Sequence, residues 1–231
     1  GRNFEYFSED PLVTGKMAAA QIRGMHRAGV TGAVKHFCAN NQEIGRFTTN
    51  SIVSERALRE IYLRGYEIVV KEAQADAIMT TYGAVNGVWT AGNYDLVTEV
   101  LHKQWGFKGI VMTDWWAQMN EEGEAPSRTD YASMIRAQND LYMVCLDAEA
   151  KNQDDNTLAS LAQGKLTLGE LQRSAANICR FLLNTQAYAR LEGTETELEV
   201  TGAEDGFEEE VMELTYYKVE KEISIDLSDK I

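Results

Sequence analysis

The spacing of apolar and polar residues in the first part of the chain switches between a helical and an extended period. A helical run follows Asp10 and Pro11, which are common N-cap and first-turn residues, and it ends at Gly29. The apolar-rich segment 32–38 then has the length of a strand, and a second run of helical spacing follows Ser54. The first part of the chain is therefore predicted to be helix, strand, helix.

The same alternation continues to about residue 183. We predict further strands at 77–82, 109–113 and 141–145, and further helices from Asn93 to Gly106, from about Asp130, and from the capping box at Thr167–Glu170 to Leu183. Strands that each follow a helix indicate right-handed βαβ units and a parallel sheet. Such a sheet is either open and doubly wound or part of a (β/α)₈ barrel, and four strands cannot close a barrel.

The composition changes near residue 192. The stretch ETELEVTGAEDGFEEEVMEL is acidic and has no helical period, and apolar and polar residues alternate after it. We therefore predict that 191–231 forms an acidic linker followed by a short β segment, separate from 1–190.

Composition and charge exclude several classes of protein. The 231 residues are 44% hydrophobic and 25% charged, as expected of a globular fold, and their formal charge of −14 repels nucleic acid and anionic membranes. No apolar run reaches the roughly 20 residues that span a bilayer, so we expect a cytoplasmic protein, although any signal peptide would precede Gly1. Three widely separated cysteines predict reduced, buried thiols rather than disulfides or a metal site.

Candidate chemistry lies where the predicted strands end. Ligands of parallel α/β folds bind beyond the carboxyl ends of the strands, where this chain places Lys35 and His36, then Met79 and Tyr82, and then Asp114 with two tryptophans. A carboxylate beside aromatic rings suits a sugar, whose C–H faces stack on rings while its hydroxyls need polar partners. The sequence contains no HExxH motif, glycine-rich phosphate loop or GxSxG motif.

Each of these residues also has an ordinary structural interpretation. Asp114 can cap the turn that follows it, with the tryptophans in the core. Lys35 and His36 are neighbours in a strand, so they should face opposite sides and one can simply be solvated. Four more residues fit the same view: Glu43 and Arg46 as a surface ion pair, and Met79 and Tyr82 as core residues.

Five motifs taken together resemble glycoside hydrolase family 3, and in particular its bacterial β-glucosidases. They are GRNFEYFSEDP (1–11), KHFCANNQEIGR (35–46), SERALREIYL (54–63), MTTYGAVNG (79–87) and WGFKGIVMTDWW (105–116), in the order of the family. The resemblance implies that Asp114 is the nucleophile and that Trp115 stacks on the sugar. It also implies that Arg2, Lys35, His36, Arg46, Met79 and Tyr82 bind substrate, without a metal or organic cofactor.

The resemblance also implies a fold and an activity. Residues 1–190 would be the later strands and helices of a (β/α)₈ TIM-type barrel, while the earlier strands and the sandwich domain with the acid/base lie outside this chain. The intact enzyme would hydrolyse terminal non-reducing β-D-glucosyl residues with retention, and the isolated chain would be inactive. The usual Asn after Tyr82 is replaced by Gly83, which leaves the role of that position open.

Two other hypotheses remain at this point. The chain can be a sugar-binding or assembly module without turnover, which pairs with the missing half or with itself through exposed strand edges. Alternatively, it is a different open α/β enzyme in which the motifs occur by coincidence.

Overall fold

The computed structural model describes residues 2–145 and 154–194, and a parallel sheet of three strands organises the first part of this range. The strands are β1 (Ala33–Phe37), β3 (Ala77–Thr80) and β6 (Ile110–Met112), in the order β1-β3-β6. All of their pairings are parallel. The predicted α/β class is confirmed, with strand ends shifted by one or two residues.

The helices of the first half begin at the predicted caps. Asp10 Oδ1 accepts hydrogen bonds from the N–H groups of Leu12 and Val13, and Ser54 Oγ accepts one from Ala57 N–H. These caps satisfy backbone donors that have no partner inside the helix. The helices are α1 (Pro11–Arg27), α2 (Glu55–Ala57), a π-helical segment (Leu58–Tyr62) and α3 (Arg64–Ala73).

Helices of the second half also begin at predicted capping residues. Asn93 Oδ1 accepts a hydrogen bond from Leu96 N–H, and Thr167 and Glu170 form the predicted capping box. Two short helices, Thr157–Ala162 and Gln186–Leu191, were not predicted, and the second one crosses the predicted boundary at residue 190. The elements are a π-helix (Asp95–Gln104), α4 (Tyr131–Arg136), α5 (Thr157–Ala162), α6 (Leu168–Leu183) and α7 (Gln186–Leu191).

The main hydrophobic core lies on one face of the parallel sheet. Ile78 of β3 and Val111 of β6 are fully buried there, packed with side chains of α1, α3 and the helix Asp95–Gln104. The row Lys35, Met79 and Met112, which is in register across the three strands, is only partly covered or exposed. The two faces of the sheet therefore have different surroundings.

The predicted fourth strand at 141–145 does not form, and that prediction is wrong. Leu141 makes one isolated parallel bridge with Met112, and the chain then leaves the sheet. The N–H of Met143 donates to the Thr113 hydroxyl at 2.9 Å instead of to a strand carbonyl. A side chain thus takes the donor that would have extended the ladder.

A second, small sheet was not predicted because each of its strands has only two residues. β2 (Asn50–Ser51) pairs in parallel with β4 (Ala84–Val85), which forms an antiparallel hairpin with β5 (Val88–Trp89). Asn86 and Gly87 form the hairpin turn, both with positive φ, as a two-residue turn of this kind requires. This sheet joins the loop after β1 to the loop after β3.

Other expectations have mixed outcomes. Cys38 is buried, but Cys145 and Cys179 are exposed, so the expectation of three buried thiols is wrong for two of them. No helix within the described ranges is long and apolar enough to cross a bilayer. Most of the predicted acidic linker and all of the β segment lie outside the described residues, which end at 194.

A buried carboxylate joins β6 to α6. Asp140 Oδ1 accepts hydrogen bonds from the Ser174 hydroxyl (2.9 Å) and Asn177 Nδ2 (3.1 Å), and Asp140 Oδ2 accepts one from Val111 N–H (3.2 Å). Burial raises the pKa of Asp140 to about 6, although these donors act in the opposite direction. The carboxylate therefore fixes the helix to the end of the sheet.

We expect Asp140→Ala to lower the free energy of unfolding by about 3 kcal/mol, because it leaves three buried donors without a partner. Urea unfolding monitored by circular dichroism measures this, and Glu122→Ala, at an exposed position, is the control and should change stability by less than about 0.5 kcal/mol. Equal stability of the two variants would refute the structural role of Asp140.

Candidate active site

Asp114 lies just beyond β6 and is 7% exposed. Its Oδ1 accepts a hydrogen bond from the N–H of Trp115 at 2.8 Å, and its Oδ2 lies 3.4 Å from Nε2 of His36. Trp115 and Trp116 are 48% and 43% exposed, so they are not core residues. The carboxylate makes the local turn contact of the structural interpretation, and it also faces the end of β1.

Lys35 and His36 both approach the carboxylate of Glu5 although they are neighbours in β1. The register of β1 against β3 shifts between Lys35 and Phe37, which interrupts the normal alternation of faces. Lys35 Nζ lies 3.2 Å from Glu5 Oε2, and His36 Nδ1 lies 3.8 Å from Glu5 Oε1. Both side chains thus come near Glu5, while Lys35 is 44% exposed and His36 is 4% exposed, so the expectation that one of the two is solvated holds for Lys35.

Arg2 and Arg46 belong to one chain of ion pairs. Arg2 is 7% exposed and pairs with both Glu5 and Glu43, and Glu43 also accepts a hydrogen bond from Arg46 at 2.8 Å. The predicted surface ion pair between Glu43 and Arg46 is present, but it belongs to a larger network of ion pairs that includes the buried Arg2. The network connects the loop after β1 to the first residues of the chain.

Tyr82 contacts the loop that carries Arg46 and Phe47, and it also lies near Asp114. Its ring lies 4.4 Å from that of Phe47 between centroids, and Arg46 Cζ lies 5.2 Å from the Tyr82 centroid. The Tyr82 hydroxyl is also close enough to Asp114 to lower the pKa of its carboxyl, against the larger effect of burial. A Cβ at Gly83 would lie 3.0 Å from the Thr49 carbonyl oxygen, so the loop that carries Arg46 packs where a larger residue would stand.

Met79 lies on the central strand, between Lys35 of β1 and Met112 of β6. It is half-buried and belongs to the sheet face opposite the main core. The structure thus places the eight predicted site residues at or near one end of the sheet, and their chemical roles remain predictions.

Burial, more than charge, determines the pKa values of Asp114 and His36. Burial raises the pKa of Asp114, against the opposing effects of the Trp115 N–H, the Tyr82 hydroxyl, Arg46 and Lys35. Burial also lowers the pKa of His36 to about 4, assisted by the nearby charge of Lys35. His36 is therefore neutral at pH 7, and at Asp114 desolvation outweighs the opposing charges of Arg46 and Lys35.

Three other carboxylates, those of Glu5, Glu43 and Glu121, form ion pairs with basic side chains. Arg2 and Lys35 lower the pKa of Glu5 despite its partial burial, so Glu5 stays ionised and is a poor proton donor. Glu43 pairs with Arg2 and Arg46, and Glu121 pairs with Arg136. Within 2–145 and 154–194, no group of three His, Cys, Asp or Glu residues could hold a metal ion.

Glu5, Tyr6 and Asn40 also lie around the site, but the sequence patterns did not predict them as site residues. Glu5 joins Arg2, Lys35 and His36, while the Tyr6 hydroxyl contacts His36 Nδ1 and Asn40 Nδ2, each at 3.0 Å. All three lie inside the motifs GRNFEYFSEDP and KHFCANNQEIGR, near the predicted site residues of those motifs. Position within a motif is the one signal that could have identified them.

Comparison with known proteins decides the family. The family model described as "Glycosyl hydrolase family 3 N terminal domain" matches residues 1–181. The chain belongs to glycoside hydrolase family 3. A β-glucosidase of Ruminococcus albus is 58% identical over 200 residues, which are 87% of this chain and 21% of that enzyme.

Other family 3 relatives extend this result. The crystal structure of a β-glucosidase from Paenibacillus barengoltzii superposes with a TM-score of 0.80 at 58% identity, covering 82% of this chain and 21% of that one. An exo-α-(1→6)-L-arabinopyranosidase of Bifidobacterium breve is 38% identical over 81% of this chain and 23% of its own length. This family 3 chain therefore spans less than a quarter of each of these relatives.

We expect the His36 ring to titrate with a pKa of about 4 instead of its ordinary 6.5, because burial disfavours the imidazolium. A pH titration of the histidine ring signals by NMR measures this, with His36→Gln to assign the signal. Because the pKa is lowered in the folded state, the associated stability is fully present above pH 6.5 and is lost as the pH falls towards 4. A midpoint near 6.5 would contradict the buried, neutral state.

Proposed function

We propose that this chain supplies the nucleophile part of a retaining β-glucosidase. The observation that carries the proposal is the position of Asp114, which is buried beyond the end of a parallel strand with its Oδ2 3.4 Å from His36 Nε2. The exposed Trp115 beside it provides an aromatic face for a sugar ring. The high identity to a β-glucosidase of Ruminococcus albus supports a glucosyl substrate.

The proposed reaction has two steps. Asp114 attacks the anomeric carbon, forming a C–O bond as the bond to the aglycone oxygen breaks, and that oxygen takes a proton from an acid. Water then attacks the glycosyl ester, passes a proton to the conjugate base of that acid, and releases glucose and the free carboxylate. Glu5, Glu43 and Glu121 are held by basic residues, so we assign the acid to another domain of the enzyme.

The predicted binding residues supply donors around this carboxylate. The His36 ring lies beside it, Lys35 Nζ pairs with Glu5, and Arg2 and Arg46 are joined to Glu5 and Glu43 by ion pairs. We assign these four to sugar hydroxyls, which need charged or polar partners. We further assign Met79 and Tyr82 to substrate binding and Trp115 to stacking on the sugar ring.

The proposed partner of this segment is the remainder of a (β/α)₈ barrel. β1 is at the edge of the described sheet, and a cavity of about 350 Å³ lies beside it, lined by Ala33 and Val34 of the strand and by Ile22 and Met25 of α1. A free edge and an adjoining cavity suit a preceding strand and helix. We therefore propose that 1–190 is the later part of the barrel domain and that 191–231 links it to another part.

The identity of the sugar is a finer part of the proposal. The Bifidobacterium breve relative is an arabinopyranosidase, so family membership alone does not specify glucose. Initial rates on aryl β-glucoside, β-xyloside and α-arabinopyranoside, compared as kcat/KM, separate these substrates. A preference for glucoside is the expected result.

In a full-length protein that contains this chain, we expect Asp114→Asn to reduce kcat at least 10⁴-fold, because the amide cannot form the covalent intermediate. Hydrolysis of an aryl β-glucoside measures the loss, and circular dichroism tests folding. Asp95→Asn, at an exposed helix position, is the matched control and should retain full activity. Activity of Asp114→Asn within tenfold of the parent would exclude Asp114 as the nucleophile.

The isolated 231-residue chain should show negligible hydrolysis, because general acid catalysis is typically worth about 10²- to 10⁴-fold and the acid lies elsewhere. Its free strand edge should also cause self-association, which light scattering detects as a mass above 25.9 kDa. Sugar binding without turnover would favour the binding-module hypothesis for the isolated chain. Turnover close to that of intact enzymes would show that the chain holds a complete site, contrary to the proposal.

A further inference from the structure

Tyr6 joins three polar groups around the ring of His36. Its hydroxyl oxygen lies 3.0 Å from His36 Nδ1, 3.0 Å from Asn40 Nδ2 and 3.4 Å from the backbone nitrogen of His36. The catalytic scheme above uses neither Tyr6 nor Asn40. Both are nevertheless directly connected to the histidine that faces the candidate nucleophile.

The number of donors determines the direction of these hydrogen bonds. The Asn40 amide nitrogen and the backbone N–H of His36 can only donate, so the Tyr6 oxygen accepts from both of them. A hydroxyl has two lone pairs and one proton, and both lone pairs are then occupied. The remaining proton is directed to His36 Nδ1, which must therefore be the unprotonated nitrogen of the ring.

We propose that Tyr6, together with Asn40, is a positioning residue that holds neutral His36 as the tautomer protonated at Nε2. This inference rests on the proposed role of Asp114, because Nε2 is the atom that lies 3.4 Å from Asp114 Oδ2. In this tautomer, the ring presents an N–H to the carboxylate. In the other tautomer it would present a lone pair, which would repel the carboxylate.

Glu5 is the group that opposes this arrangement. Its Oε1 lies 3.8 Å from His36 Nδ1 and would favour a proton on that nitrogen. That distance is too long for a hydrogen bond, whereas the Tyr6 hydroxyl lies at 3.0 Å. Glu5 is also held by Arg2 and Lys35, so the hydroxyl determines the tautomer.

The tautomer can be measured without any enzymatic activity. The 231-residue chain has three histidines, and nitrogen-15 labelling of their rings distinguishes protonated from unprotonated nitrogens by chemical shift. His36→Gln identifies the His36 signals. We expect Nε2 to be protonated and Nδ1 unprotonated at pH 7, and a protonated Nδ1 would overturn the proposal.

Two substitutions test the assignment to Tyr6 and Asn40. Tyr6→Phe removes the donor to Nδ1, so we expect a proton to appear on Nδ1 in a substantial fraction of molecules. Asn40→Asp replaces a donor with an acceptor that takes the Tyr6 proton, so we expect the tautomer to change to Nδ1-protonated. Tyr62→Phe, in the same cavity, is the matched control and should leave the His36 signals unchanged.

Kinetics of the full-length protein give a second readout. Tyr6→Phe should lower kcat about tenfold, as expected for one hydrogen bond, while Tyr62→Phe has no effect. A folded Tyr6→Phe chain with an unchanged His36 tautomer would overturn the positioning role, whatever the activity is. An inactive parent enzyme with the expected tautomer would refute the proposed function alone, so the two failures can be distinguished.

Discussion

The parallel pairing of β1, β3 and β6 is the constraint on which the site depends. Lys35, Met79 and Met112 are paired in one row across these strands. Because parallel strands end at the same edge, residues that are far apart in the sequence meet beyond this row. The distance of 3.4 Å between His36 Nε2 and Asp114 Oδ2 follows from this register and from the irregularity of β1 at His36.

Each cation of the site is balanced by a carboxylate. Arg2 pairs with Glu5 and Glu43, Lys35 pairs with Glu5, and Arg46 pairs with Glu43. Desolvation rather than positive charge has the largest effect on the pKa of Asp114. The same network holds the donors in place, so less ordering is required when a polar ligand binds.

The two faces of the parallel sheet differ in how far they are covered. One face packs on α1, α3 and the helix Asp95–Gln104, while the row that contains Met79 is only partly covered. In the barrel that we propose, side chains of further strands would cover the second face, since the described parallel sheet has three strands. The chain spans 21% of the Ruminococcus albus enzyme, so the activity of a whole enzyme stays a proposal for this chain.

The sequence alone determined the α/β class, the caps at Asp10, Ser54, Asn93 and Thr167, and the family, because these depend on local spacing and on ordered motifs. Only the tertiary structure decided which side chains meet. Leu141 did not continue a strand because the Thr113 hydroxyl takes the N–H of Met143, and Lys35 and His36 share Glu5 because the register of β1 shifts. Such contacts join residues that are distant in the chain, so they depend on packing and register, which local periodicity does not encode.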